Sequence, residues 1–243
     1  MTTTIVLGDG PLGRAVGDAL RARGEDATVL GRPAGGHHDP SRLRGPRSVV
    51  DASRASAVAG NVEDALAAGC RSFVIATTGW QADAERVGAA LRRAGAAAVV
   101  APNLALGAAL FLRLVDEAAR LAAALGGFEP SVVEWHRRSK ADRPSGTARE
   151  IVRRLSAALP IELDEVAVVR SGSMPGQHVV ALDGASETIE LRLTARDRAG
   201  YAAGALAAID WLTSQPRSPG IHSFDEVVDA LLARRPAAPL AVA

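Results

Sequence analysis

Apolar and polar positions follow two rhythms along this chain. Ile5-Val6-Leu7 is a short apolar run that leads into Gly8-Asp9-Gly10-Pro11-Leu12-Gly13. Ala15, Val16, Ala19 and Leu20 then recur at helix spacing, and Gly24 closes the helix. The unit repeats, with strands over 27–30, 48–51, 72–76 and 97–100 and helices over 57–69 and 82–94. Residues 31–46, rich in Gly, Pro, Asp and His, read as a loop that leaves His37 and His38 in solvent. Strands spaced by helices in this way require a parallel sheet covered on both faces.

The rhythm changes after Pro102-Asn103. A long Ala/Leu helix is predicted over 106–125, a strand over 131–135, a charged loop over 136–145 and a helix over 148–159. Alternating strands follow at 166–169, 178–182 and 188–193, then an Ala-rich helix over 201–212. Residues 214–220 read as a linker, His222 as incidental to it, and 224–233 as a final helix. The expected fold is α/β in two domains. Residues 1–106 and 215–243 form a dinucleotide-binding domain with a Rossmann-type doubly wound parallel sheet. Residues 107–214 form a second, α+β domain with an open mixed sheet.

Composition narrows the classes. With 28 basic and 27 acidic side chains in 243 residues, the net charge of +1 gives no footprint for nucleic acid or an anionic membrane. No apolar run reaches about 18 residues, so no spanning helix is expected. Met1-Thr2-Thr3-Thr4-Ile5 lacks a charged segment before an apolar run, so no signal peptide is read. The lone Cys70 leaves no disulfide framework and no cysteine metal cluster. A cytoplasmic protein without a metal is expected. Of the 28 basic residues only one, Lys140, is lysine. A chain that uses Arg wherever a positive charge suffices keeps Lys where a compact ammonium with an adjustable pKa is needed.

Three segments carry candidate chemistry. Gly8-x-Gly10-x-x-Gly13, with Leu12 inside it, stands between the first strand and the first helix, where a dinucleotide fingerprint must stand. The second strand ends in Leu30-Gly31-Arg32, an arginine in place of the acid that binds a free ribose. That favours a 2′-phosphate and hence NADPH, with NADH as the alternative; a solvated loop arginine is the blander reading. Thr77-Thr78-Gly79-Trp80 and Pro102-Asn103 follow the fourth and fifth strands, at the ends where open α/β sheets bind ligands. The densest cluster is Glu134-Trp135-His136-Arg137-Arg138-Ser139-Lys140-Ala141-Asp142-Arg143-Pro144-Ser145-Gly146-Thr147-Ala148. A proton donor, cations and helix-opening amides on one loop suit a carboxylated substrate that accepts a proton.

Glu134 to Ala148 resembles the signature of the dihydrodipicolinate reductases, Glu-x-His-His-x-x-Lys-x-Asp-x-Pro-Ser-Gly-Thr-Ala, with Arg137 at the second His. Ala76-Thr77-Thr78-Gly79-Trp80, Ala101-Pro102-Asn103, Pro175-Gly176-Gln177-His178 and Arg198, Tyr201, Gly204 and Ala205 match further pieces in the family's order. The resemblance implies a reductase of an anionic cyclic imine in lysine and diaminopimelate biosynthesis, assembled as a homotetramer. It implies that His136 donates the proton, that Lys140 assists it, and that Gly146 and Thr147 hold a substrate carboxylate. Thr78, Gly79 and Asn103 match segments near the nicotinamide. Arg137 stands for a His that helps bind substrate, Leu104-Ala105 for the usual Phe-Ser, and the first loop lacks the family's Arg-Met. These departures leave two alternatives: an imine reductase of the same family working on another substrate in specialised metabolism, and a non-catalytic dinucleotide sensor.

Overall fold

A computed structural model describes residues 3–33, 37–43, 45–101, 103–159 and 165–233. The chain divides into two compact units, Met1–Leu104 with Tyr201–Ala243, and Ala105–Gly200.

The first unit is built on six parallel strands: β1 (Thr3–Leu7), β2 (Asp26–Leu30), β3 (Ser48–Asp51), β4 (Ser72–Ile75), β5 (Ala97–Val100) and β10 (Gly220–Ser223). Their order is β10-β5-β4-β3-β1-β2, so the chain reverses direction of travel between β1 and β3. The apolar runs predicted as strands are buried on both faces. Val6, Leu7, Val50 and Val74 have no exposed surface, and Phe73 and Ile75 almost none. Helices α1 (Pro11–Ala22), α2 (Val58–Ala67), α3 (Ala84–Ala94), α6 (Ala199–Ser214) and α7 (Phe224–Ala233) supply the layers around that sheet. Val58, Val62, Val87 and Leu91 join the strand residues in one apolar cluster. Cys70 lies fully inside it, and burial pushes its thiol up to about 11, so it is inert.

The expectations for the stretch after α6, for His222 and for His38 fail here. Residues 220–223 pair with β5 from Gly220↔Ala97 to Ser223↔Val100, although nothing in the sequence marks a strand. The segment Gly-Ile-His-Ser is too short to show a period. His222 is no incidental loop residue: its Nδ1 lies 2.9 Å from Glu226 and its Nε2 2.8 Å from the Ser218 carbonyl. His38 is 8% exposed rather than solvated, because its backbone N–H is bound to Asp64 of α2. Its Gly/Pro neighbourhood hid that contact. Helix α6, expected with 107–214, groups with the first unit from Tyr201 onward. Gly204 lies against the Leu104 carbonyl, and Arg23 at the end of α1 pairs with Asp210 at 2.7 Å.

The second unit is a four-stranded sheet, β7-β6-β8-β9, of β6 (Glu129–His136), β7 (Ala167–Arg170), β8 (Gly176–Asp183) and β9 (Thr188–Ala195). β7 runs parallel to β6, and β8 and β9 follow antiparallel, so the sheet is mixed. Helices α4 (Leu106–Leu125) and α5 (Gly146–Ala158) cover one face through Phe111, Val115, Ile151 and Leu155 against Val132, Val180 and Leu182. Burial alternates along β6, whose residues at 130, 132 and 134 face that cover. Among the described residues no helix is long and apolar enough to cross a membrane.

Candidate active site

At the strand ends of the first unit the turn after β1 is shaped by backbone clearance. Gly8 has φ +116, and a side chain there would begin 2.3 Å from the Ala52 carbonyl oxygen. At Gly13 it would begin 1.8 Å from the Gly8 carbonyl oxygen, so the helix can approach the turn only without a Cβ. A side chain at Gly10, by contrast, would meet no atom within 4 Å among the described residues beyond its chain neighbours. Gly10 is the residue before α1, no acidic residue lies in the first turn, and Pro11 opens it. A turn packed on two sides, open at its middle glycine and backed by helix amides fits a dinucleotide pyrophosphate.

Leu12, Thr77 and Thr78 line a cavity of about 230 Å³ with Ala52, Ser53, Arg54 and Ala76. Its walls hang on Asp51, 2% exposed at the end of β3. The carboxylate accepts the Ser53 amide at 3.1 Å, the Ser53 hydroxyl at 2.8 Å, Asn61 Nδ2 at 2.7 Å and the Thr77 hydroxyl at 2.5 Å. Thr77 thus fixes the loop with its side chain, while Thr78 is exposed and Gly79 turns the chain at φ +86. Arg32 is exposed at the end of β2 and Asn103 half-buried after β5; Pro102 lies outside the described residues.

In the second unit the register of three strands brings four ionisable side chains together. Glu134 stands opposite His178 on β8, and His136 opposite Arg170 on β7. Glu134 is fully buried and Arg170 has 1% of its side chain exposed. Arg170 Nη2 donates to Glu134 Oε1 at 2.7 Å, and the Ser145 amide donates to the two carboxylate oxygens at 3.1 and 3.2 Å. Burial alone would raise the Glu134 pKa, but the Ser145 hydrogen bonds and the guanidinium hold it below the ordinary carboxylate value. Its Oε2 lies 3.6 Å from both His136 Nδ1 and His178 Nε2. These three residues could cluster around a cation, but a guanidinium already occupies the carboxylate.

His136 and His178 meet edge to face at 5.2 Å. Burial pushes His178 down to about 4, and the neighbouring imidazole adds to that. Burial also lowers His136, with Lys140 and Arg170 acting in the same direction and Glu134 against them. His136 Nδ1 is buried without a hydrogen-bond partner among the described residues, while a side chain at Gly176 would begin 3.1 Å from Nε2. The glycine leaves that nitrogen room.

The loop that follows β6 is tied down at its base. Arg170 also donates to the carbonyls of Asp142 at 2.6 Å and Lys140 at 3.3 Å. Lys140 Nζ pairs with Asp142 at 2.7 Å. Arg137 is exposed and donates to Ser139 at 3.1 Å. Ser145 caps α5 by accepting the Ala148 amide at 3.2 Å, and its hydroxyl meets His178 Nε2 at 3.1 Å. Apart from its chain neighbours and its own helix backbone, a side chain at Gly146 would meet no atom within 4 Å among the described residues, so the start of α5 is open at that position.

Residues 107–228 match the family model described as dihydrodipicolinate reductase, C-terminus. A 4-hydroxy-tetrahydrodipicolinate reductase of Rhodopirellula baltica is 31% identical over 200 residues, 75% of this chain and 71% of the relative. The chain belongs to the dihydrodipicolinate reductase family. Another family member, the 4-hydroxy-tetrahydrodipicolinate reductase of Methanospirillum hungatei, is 34% identical over 199 residues, 76% of each chain. A solved dihydrodipicolinate reductase from Paenisporosarcina sp. TG-14, bound to dipicolinate, shares the fold with a TM-score of 0.70 at 18% identity, covering 92% of this chain and 98% of that one.

Within this reductase fold, the departures noted in the sequence differ in kind. Leu104 and Ala105 are buried at 2% and 9% exposure and serve packing, whereas Arg137 stands on the exposed loop. Sequence reasoning missed Arg170, the cation beneath the loop, and the roles of Glu134, His178 and Asp51. Arg170 sits one residue past the predicted strand end, and only the β6–β7 register reveals its partner. A buried glutamate two residues before a histidine on one strand face was the available signal for Glu134.

Proposed function

We propose that the protein is an NAD(P)H-dependent oxidoreductase that reduces a carboxylated cyclic imine, working as a 4-hydroxy-tetrahydrodipicolinate reductase in the route to diaminopimelate and lysine. The observation that carries this reading is the assembly of His136, Lys140 and the α5 N-terminus over the buried Glu134–Arg170 pair. Its chemistry needs one hydride and one proton, and bound NADPH supplies the hydride.

His136 supplies the proton from Nε2, since Nδ1 is buried beside Glu134. Burial keeps His136 below its ordinary pKa in the free protein. A bound dianion reverses that balance, because carboxylates beside the imidazole favour its charged form. The proton is then loaded where a substrate is present to receive it. Lys140, Arg137 and the amides of Gly146 and Thr147 hold the carboxylates and so orient the ring for attack.

In the first unit Gly8, Gly10, Leu12 and Gly13 receive the pyrophosphate, and Thr77, Thr78, Gly79 and Asn103 border the nicotinamide. Arg32 pairs with a 2′-phosphate, so NADPH is preferred over NADH. We place the enzyme in the cytoplasm as a homotetramer, formed through the sheet face that α4 and α5 leave open, where Val169, opposite Trp135, is 37% exposed.

The test is loss of nicotinamide absorbance with 4-hydroxy-tetrahydrodipicolinate beside cyclic imines that lack carboxylates. Oxidation with the dicarboxylate, inhibited competitively by dipicolinate, is expected. Equal rates with uncarboxylated imines would overturn the reading.

A further inference from the structure

The end of β2 lacks a side chain where a dinucleotide-binding sheet commonly presents an acid to the adenosine ribose. Leu30 is followed by Gly31, and no acid stands next to it in the sequence. The space is nevertheless occupied. A side chain at Gly31 would begin 3.0 Å from Asp9 Oδ2 and 3.2 Å from Asp9 Cγ, so the Asp9 carboxylate lies against the bare backbone of that position.

Asp9 comes from the phosphate turn, and neighbouring strands hold it there. β1 and β2 pair in register up to Leu7↔Leu30, and the Gly8 amide donates to the Leu30 carbonyl at 2.7 Å. That bond ties the start of the turn to the end of β2. Asp9 is exposed, and no hydrogen bond or ion pair engages it among the described residues. The carboxylate oxygens are available to a ligand.

We propose that Asp9 supplies from the first loop the acceptor that β2 lacks, binding the adenosine ribose hydroxyls of a dinucleotide, and that it opposes Arg32 in choosing between NADH and NADPH. The inference rests on the reading of the first unit as a dinucleotide site. A carboxylate accepts hydrogen bonds from a free 2′-hydroxyl but repels a 2′-phosphate, whereas the guanidinium of Arg32, next to Gly31, attracts that phosphate. Asp9 therefore keeps NADH usable in a site whose β2 end would otherwise select NADPH.

The experiment titrates NADH and NADPH separately by their own fluorescence, without substrate, on the wild type, Asp9→Ala, Asp9→Asn and Arg32→Ala. Asp9→Ala should weaken NADH about tenfold, the loss of one charge-assisted contact, and leave NADPH unchanged or tighter. Asp9→Asn, which keeps an acceptor and removes the charge, should tighten NADPH. Arg32→Ala should weaken NADPH alone. Unchanged NADH affinity in Asp9→Ala, an equal loss for both dinucleotides, or a wild type that binds neither overturns the proposal. Selective binding without turnover of any cyclic imine would leave Asp9's role standing and defeat the proposed reaction instead.

Discussion

Two buried carboxylates, one in each unit, are made comfortable by opposite means. Asp51 is surrounded by neutral donors: an amide, two hydroxyls and the Asn61 side chain. Glu134 is held by a buried guanidinium and one amide, with two imidazoles 3.6 Å away. Neutral donors shape a loop without placing a mobile proton, so the Asp51 network builds walls for the cavity beside Thr78. A charged network couples each proton to its neighbours, so the Glu134 network sets which imidazole can carry one. Burial drives His178 further down than His136, which separates the two rings into a neutral support and a group that can be charged.

The comparison breaks most visibly at the carboxylates. Glu134→Ala strands Arg170 as an unpaired buried cation and should destabilise the fold by about 3–5 kcal/mol. Asp51→Ala leaves only neutral donors unsatisfied and should cost less than that, about 1–3 kcal/mol. Urea unfolding of the two variants checks the order, and equal losses would mean that charge burial does not distinguish the networks.

Acidification should act on the second network first. His178 lies at about 4 in the folded chain against 6.5 as an ordinary value, so between them the unfolded chain binds more protons. Stability should be level above pH 6.5 and fall as the pH drops toward 4, by up to about 3 kcal/mol from this group. Glu134, held below its ordinary value, deepens the loss only at lower pH still. The urea midpoint measured across this range gives the slope, and His178→Gln should flatten it.

A smaller but sharper difference concerns turnover. His136→Gln should lower kcat by roughly a hundredfold or more, about 2.7 kcal/mol, with dinucleotide affinity unchanged. Steady-state kinetics beside a fluorescence titration separates the two quantities. Turnover within threefold of wild type would remove His136 from the proton transfer.

The smallest effect expected is at Lys140. Arginine is larger and stays protonated at any working pH. Lys140→Arg should fold normally and lose about tenfold in kcat/KM, about 1.4 kcal/mol. Arg153→Lys on α5, whose guanidinium pairs with Glu150 at 2.6 Å, serves as the control. Equal activity in both would make the lone lysine a compositional accident.

By itself the sequence determined whatever rests on local backbone or on period. Gly8 and Gly13 are legible because a turn and a close approach forbid a Cβ, and the strands and helices because burial on one or two faces imposes a repeat. The loop that carries His136, Lys140 and Gly146 is contiguous, so its chemistry can be read in order. Only the tertiary structure decided what depends on which strands lie side by side. Parallel pairing made a strand of 220–223, and the β6–β7 register put Arg170 under the loop. The β6–β8 register set His178 opposite Glu134, and the adjacency of β1 and β2 laid Asp9 against Gly31. Such partners lie tens of residues apart in the chain, and no spacing rule links them. They meet because hydrogen bonding between strands fixes a register, and that register is chosen by the whole sheet.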